Sequence, residues 1–282
     1  MIPHINERMY LRMKRSIFAA MLVLVFAVSA FGEAVPVEID GSVGKLSAVI
    51  QKPELAEGGK CPLVMILHGF TGNKNEKLLT TFADSLETAG IASIRFDFNG
   101  HGESAGDFVN MTVLNEIEDA RHVYEYVRDL RYVSDVSISG HSQGGVVTSM
   151  LAGELGKDAF RSVVLFAPAA VLRDDAIRGN VMGVAYDAGN PPESVKIFGR
   201  YDLGRGYMLT AQTLPIYETA GKFTGRVCVI HGTADRIVPY TYGERYHKIY
   251  ANSELHLLDG ADHGFTGCED EAVKIAVSFL KK

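Results

Sequence analysis

Apolar, largely β-branched runs return along this chain at spacings that leave room for a helix between most of them. They are KLSAVI (45–50), PLVMILHGF (62–70), IASIRFDF (91–98), VSISG (136–140), SVVLFAP (162–168), RVCVIHG (226–232) and ELHLLDG (254–260). Several are apolar at consecutive rather than alternate positions, the pattern of strands buried on both faces. Segments of helical periodicity fill the gaps at 75–89, 113–130, 144–155, 242–250 and 269–280. Gly90 follows the first of these as a stop signal. Strands alternating with helices predict an α/β domain, a mostly parallel sheet flanked by helices.

One stretch breaks the alternation. Residues 171–222 hold GN, GNPP, GR and GRG breakers and short apolar clusters, with no clear strand. A structureless connection of that length is unusual in a compact domain. The segment is therefore expected to be an insertion, a lid over the carboxyl edge of the sheet.

The chemistry centres on SISGHSQGG, residues 137–145. A buried strand ends there and a helix begins, with Ser142 between them in a G-x-S-x-G pattern. Gly140 and Gly144 leave room for a sharp turn that lifts the hydroxyl above the sheet, at the N-terminus of a helix. A serine hydroxyl needs a base, and the base an orienting acid. Asp235 follows the run VCVI, and His263 follows the run LHLL. Ser, Asp and His thus occur in the order that α/β-hydrolases use, each in a loop leaving the same edge of the sheet. An oxyanion requires two backbone N–H donors. Gln143, directly after the serine, supplies one, and Phe70, after His68-Gly69, is the best placed for the other.

The remaining polar candidates read as structural. His68 and His231 sit at strand ends before glycine and are expected to make structural hydrogen bonds. His141 is expected to flank the pocket and His101 to belong to a tight loop. There is no HxH or HExxH pattern, so no metal is indicated, and the chemistry needs no cofactor. Cys61, Cys228 and Cys268 lack metal spacing, and their odd number gives no disulfide framework.

At the N-terminus, Arg12, Lys14 and Arg15 precede an uncharged apolar run over 17–31, with Ala30 and Gly32 as small residues for cleavage. Residues 1–32 read as a signal peptide whose apolar run is short for a membrane span, and 33–282 as the hydrolase domain. The expected location is periplasmic or secreted, with no stable membrane insertion after the signal is removed. Formal net charge is −6 with no basic tract, which argues against nucleic acid as a partner. A homodimer is left open.

With these residues in view, the chain resembles the bacterial cinnamoyl (feruloyl) esterases of the α/β-hydrolase superfamily. HGFTGNKNE, RFDFNGHGES, GHSQGGVV, LFAPAA, AQTLPIYE, VIHGTAD and GADHGF carry the likeness, which extends over almost everything after about residue 37. The resemblance implies hydrolysis of hydroxycinnamoyl esters of plant cell wall sugars or small alcohols, with a lid over the acyl pocket. It also implies that Asp175 and Tyr207 hold the 4-hydroxyl of the aromatic ring. Met182 departs from relatives that carry glutamine there. The alternatives are a broad carboxylesterase or acetylesterase and, further off, a serine peptidase or a non-catalytic binding protein.

Overall fold

The computed structural model describes residues 34–282. The expected signal peptide lies outside the described residues. In chain order the elements are β1 (Val35–Asp40), β2 (Lys45–Gln51), β3 (Cys61–Leu67), α1 (Lys77–Thr88), β4 (Ala92–Phe96), α2 (Val113–Arg128), β5 (Val133–His141), α3 (Gln143–Leu155) and β6 (Ser162–Phe166). They continue with α4 (Val171–Ile177), β7 (Asn180–Val181), β8 (Val184–Ala185), β9 (Ser194–Ile197), β10 (Tyr201–Gly204), α5 (Arg205–Ala211) and α6 (Ile216–Ala220). The chain closes with β11 (Arg226–Gly232), α7 (Thr241–Ile249), β12 (Ser253–Leu258) and α8 (Glu269–Leu280).

The main sheet has the order β1-β2-β4-β3-β5-β6-β11-β12. From β4 to β12 the strands run parallel, while β2 joins β4 antiparallel and β1 pairs with β2 as an edge hairpin. Consecutive apolar residues in the central strands divide between the two faces, as the period of two requires. Leu63, Met65 and Leu67 enter the core beneath α2 and α3, and Val64 and Ile66 enter the core beneath α1 and α8. Val163 and Leu165 against Val164 and Phe166 repeat this in β6, and Val227 and Val229 against Cys228 and Ile230 repeat it in β11. Every predicted strand and helix is present within a few residues of its expected bounds. Gly90 does end α1, at φ +81°.

Two features depart from the sequence reading. β1 is an unpredicted strand: it is mostly exposed and contains Pro36, so it carries no apolar run. An edge position tolerates both properties. The segment over 171–222 is not strandless either. It contains two antiparallel hairpins, β7–β8 and β9–β10, with α4, α5 and α6 around them. β7 and β8 have only two residues each, too few for a periodic signal. β9 does alternate exposed and buried over Ser194–Ile197. The three cysteines stand unpaired, with Cys61 and Cys228 buried.

Candidate active site

β5 and α3 meet at Ser142, whose backbone takes φ 56° and ψ −121°. That conformation is costly for a residue with a side chain and persists only where its surroundings impose it. The flanking glycines make it feasible. A Cβ on Gly140 would lie 2.2 Å from the Gly144 carbonyl oxygen, and one on Gly144 would lie 2.3 Å from that of His68. The Ser142 N–H donates to the Phe166 carbonyl at 2.9 Å, which fixes the turn to β6.

The loops after β11 and β12 bring Asp235 and His263 to this serine. His263 Nε2 lies 2.9 Å from Ser142 Oγ, and His263 Nδ1 lies 2.7 Å from Asp235 Oδ2. With Nδ1–H donating to the carboxylate, Nε2 is left to accept the serine proton. Asp235 is held from both sides, since its Oδ1 accepts the N–H groups of Ile237 and Val238 at 2.9 and 2.8 Å. Burial alone would raise this carboxyl. Hydrogen bonds from His231 and His263 outweigh burial and keep it well below the usual range, hence ionised.

Two further histidines, expected only as structural or flanking, touch this group. His231 Nε2 lies 3.2 Å from the same Asp235 Oδ2 and 2.9 Å from the Val238 carbonyl. His141 donates from Nε2 to the His263 carbonyl at 2.9 Å. Burial and the neighbouring His263 hold His141 neutral, down at about 3. The i, i+4 spacing of His231 and Asp235 was the available sequence signal for the first contact. His68 bridges the Gly69 carbonyl and the Phe98 N–H, as a structural histidine should.

Ser142 and His263 open onto a cavity of about 250 Å³. Phe70, Gln143, Asp175, Met182 and Tyr207 all line it, while Asp235 stands behind His263. Neither the Phe70 nor the Gln143 backbone N–H donates to another group among the described residues. Gly69 approaches so closely that a Cβ on it would lie 2.9 Å from that of Ser142. Asp175 is partly exposed on α4, 3.7 Å from Arg178, and burial raises its carboxyl against the pull of that guanidinium. Met182 forms the tip of the β7–β8 hairpin at φ 49°.

Tyr207 lines the cavity and carries a bond that the resemblance did not imply. Its hydroxyl is buried and donates to Gln143 Oε1 at 2.8 Å, so only its lone pairs remain for a ligand. Gln143 Nε2 in turn donates to Glu116 Oε2 at 2.9 Å. Burial pushes Glu116 up to about 8, against the lowering effect of the Gln143 bond, so it is largely protonated at neutral pH. This chain ties α2, the residue after the serine and the lid helix α5 into one buried network. The sequence reading missed Glu116, because a glutamate in the first turn of a helix ordinarily faces water.

Residues 59–186 match the family Hydrolase_4, described as serine aminopeptidase, S33. The match includes the turn at Ser142 and ends before Asp235 and His263. Among solved structures, Est1E from Butyrivibrio proteoclasticus, with ferulic acid bound, superposes with a TM-score of 0.81 at 29% identity. It covers 87% of this chain and 100% of that one.

The chain has the α/β-hydrolase fold.

Curated proteins match this chain over smaller shares. An uncharacterized 31.7 kDa protein of Escherichia coli, from the traX-finO intergenic region, is 34% identical over 30% of each chain. Lysophosphatidylserine lipase ABHD12 of Gallus gallus is 24% identical over 71% of this chain and 50% of its own. The chain thus spans between about a third and half the length of these curated relatives.

Proposed function

We propose that the protein is a serine esterase that hydrolyses hydroxycinnamoyl esters of the feruloyl type. Ser142 Oγ attacks the ester carbonyl as His263 Nε2 takes its proton, and Asp235 stabilises the imidazolium. The backbone N–H groups of Phe70 and Gln143 receive the oxyanion. His263 returns the proton to the leaving alcohol. Water, activated by the same histidine, then attacks the acyl-enzyme and releases the acid, regenerating Ser142.

The observation that carries this reading is the 2.9 Å and 2.7 Å relay from Ser142 to Asp235, opening onto a largely apolar cavity that the lid residue Asp175 also lines. Leu172, Val181, Met182 and Phe198 offer apolar surface for a flat acyl group, and Asp175 offers an acceptor for a ring hydroxyl. Likeness to an esterase solved with ferulic acid, over its whole length, supports the same choice. The reading includes export to the periplasm or medium, which N-terminal sequencing of the mature protein tests.

Hydrolysis of methyl ferulate, methyl cinnamate and p-nitrophenyl acetate decides the substrate class. A higher kcat/KM on ferulate than on cinnamate is expected. Turnover of acetate alone would replace the reading with a broad carboxylesterase. The family description adds a peptidase reading; turnover of aminoacyl p-nitroanilides with no ester turnover would favour it.

A further inference from the structure

The cavity holds a second carboxyl that the proposed mechanism does not use. Glu76 stands directly before α1 and lines the cavity together with Thr71, Ser142 and His263. Its ordinary structural roles are absent. Its side chain does not cap α1. The neighbouring cations are committed elsewhere: Lys77 pairs with Glu269 at 2.8 Å, and Lys74 pairs with Asp97 and Glu103 at 2.6 Å each. Among the described residues no side chain bonds to the Glu76 carboxyl, and the Asn73 backbone is that carboxyl's one hydrogen-bond partner.

The carboxyl is nevertheless firmly positioned. Its Oε1 packs so tightly on the loop after β3 that a Cβ on Gly72 would lie 2.4 Å from it. Burial lifts it to about 7, opposed by the Asn73 backbone bond and by the charge of His263, whose field reaches it. A desolvated carboxyl without a cation partner, set in a reaction pocket, is a functional candidate.

Its location distinguishes what it can bind. Asp175, Val181, Met182, Phe198 and Tyr207 come from the lid, and they line the part assigned to the acyl group. Glu76 comes from outside the lid, from the connection between β3 and α1, and it is reached by the charge of His263, the histidine that hands its proton to the departing oxygen. A group beside that proton donor faces the alcohol half of the ester. A carboxylate accepts hydrogen bonds from vicinal hydroxyls and gains nothing from a methyl group.

The geometry points to Glu76 as an alcohol-side specificity residue that accepts hydrogen bonds from the free hydroxyls of a polyhydroxylated leaving group, a sugar or glycerol. This rests on the esterase reading of the site but not on the identity of the acyl group. The test is therefore run in two acyl series, methyl against glyceryl ferulate and methyl against glyceryl acetate, with wild type, Glu76→Gln and Glu76→Ala. Wild type is expected to prefer the glyceryl ester within whichever series it turns over. In both variants the glyceryl-to-methyl ratio of kcat/KM should fall about tenfold, the loss of a charge-assisted bond. A ratio unchanged in both variants would overturn the inference. So would parallel losses on the two alcohols, which would assign Glu76 to support of His263 instead. A wild type that ignores the alcohol in both series overturns it too. The choice between ferulate and acetate is read separately, from wild type alone. Should Glu76→Ala prove unfolded by circular dichroism, the near-isosteric Glu76→Gln carries the decision.

Discussion

The sheet and the lid contribute to one cavity with very different local order. The sheet delivers Ser142 and Asp235 from the ends of β5 and β11, whose side chains are largely buried, and His263 from the loop after the half-buried edge strand β12. The lid delivers Met182 and Phe198 from hairpin tips that are 38% and 56% exposed, each at a positive φ. Close packing on both sides fixes the relay, since a shift in any central strand disturbs two cores at once. The exposed hairpin tips lack such packing on their outer side. On the proposed reading, reaction type and choice of acyl group reside in separately supported parts of the molecule.

Changes to each part should separate these roles. The largest effect is expected in the relay: Asp235→Asn should lower kcat roughly 10⁴-fold, because His263 loses its orienting acceptor. Circular dichroism should show the fold retained, and a loss common to every substrate would mark it as a defect of reaction rather than of selection. Next, Met65→Ala in the fully buried core should cost about 2–5 kcal/mol in urea unfolding. A cost near zero would show the core looser than its burial implies.

Glu116 gives a pH signature. Its folded pKa of about 8 lies above the ordinary 4.5. The neutral acid is thus favoured in the fold, and its stabilisation is complete below about 4.5 and lost as pH rises towards about 8. Stability should fall across this window by up to about 1.4 kcal/mol per pH unit, with a flatter profile in Glu116→Gln. Identical slopes in the two proteins would remove Glu116 from the account. The smallest effect is expected in the lid: Asp175→Asn should lower kcat/KM on methyl ferulate about tenfold relative to p-nitrophenyl acetate, with little change in Tm. Equal losses on both esters would dissolve the division between the two regions.

The same division governs what the sequence makes legible. Asp235 follows the consecutive apolar run VCVI, Ser142 the short run VSISG and His263 the run LHLL, so their strands, order and common edge could be read directly. The lid hairpins could not, because two-residue strands such as β7 and β8 carry no period. Phe70, Gln143, Asp175 and Tyr207 were reached through motif and resemblance. The bond from the Tyr207 hydroxyl to Gln143 needed coordinates, since it joins residues 64 apart. Glu76 and Glu116 stayed hidden for a related reason: an acid at a helix start is ordinarily solvated, and only tertiary packing turns these two inward.

The central claim is that Ser142 is a nucleophile activated by His263. Intact-mass and peptide analysis after treatment with a fluorophosphonate tests it most directly. A single adduct on Ser142, absent from Ser142→Ala and formed far more slowly in His263→Ala, is the predicted result. An unlabelled wild type, or an adduct on any other residue, would contradict it.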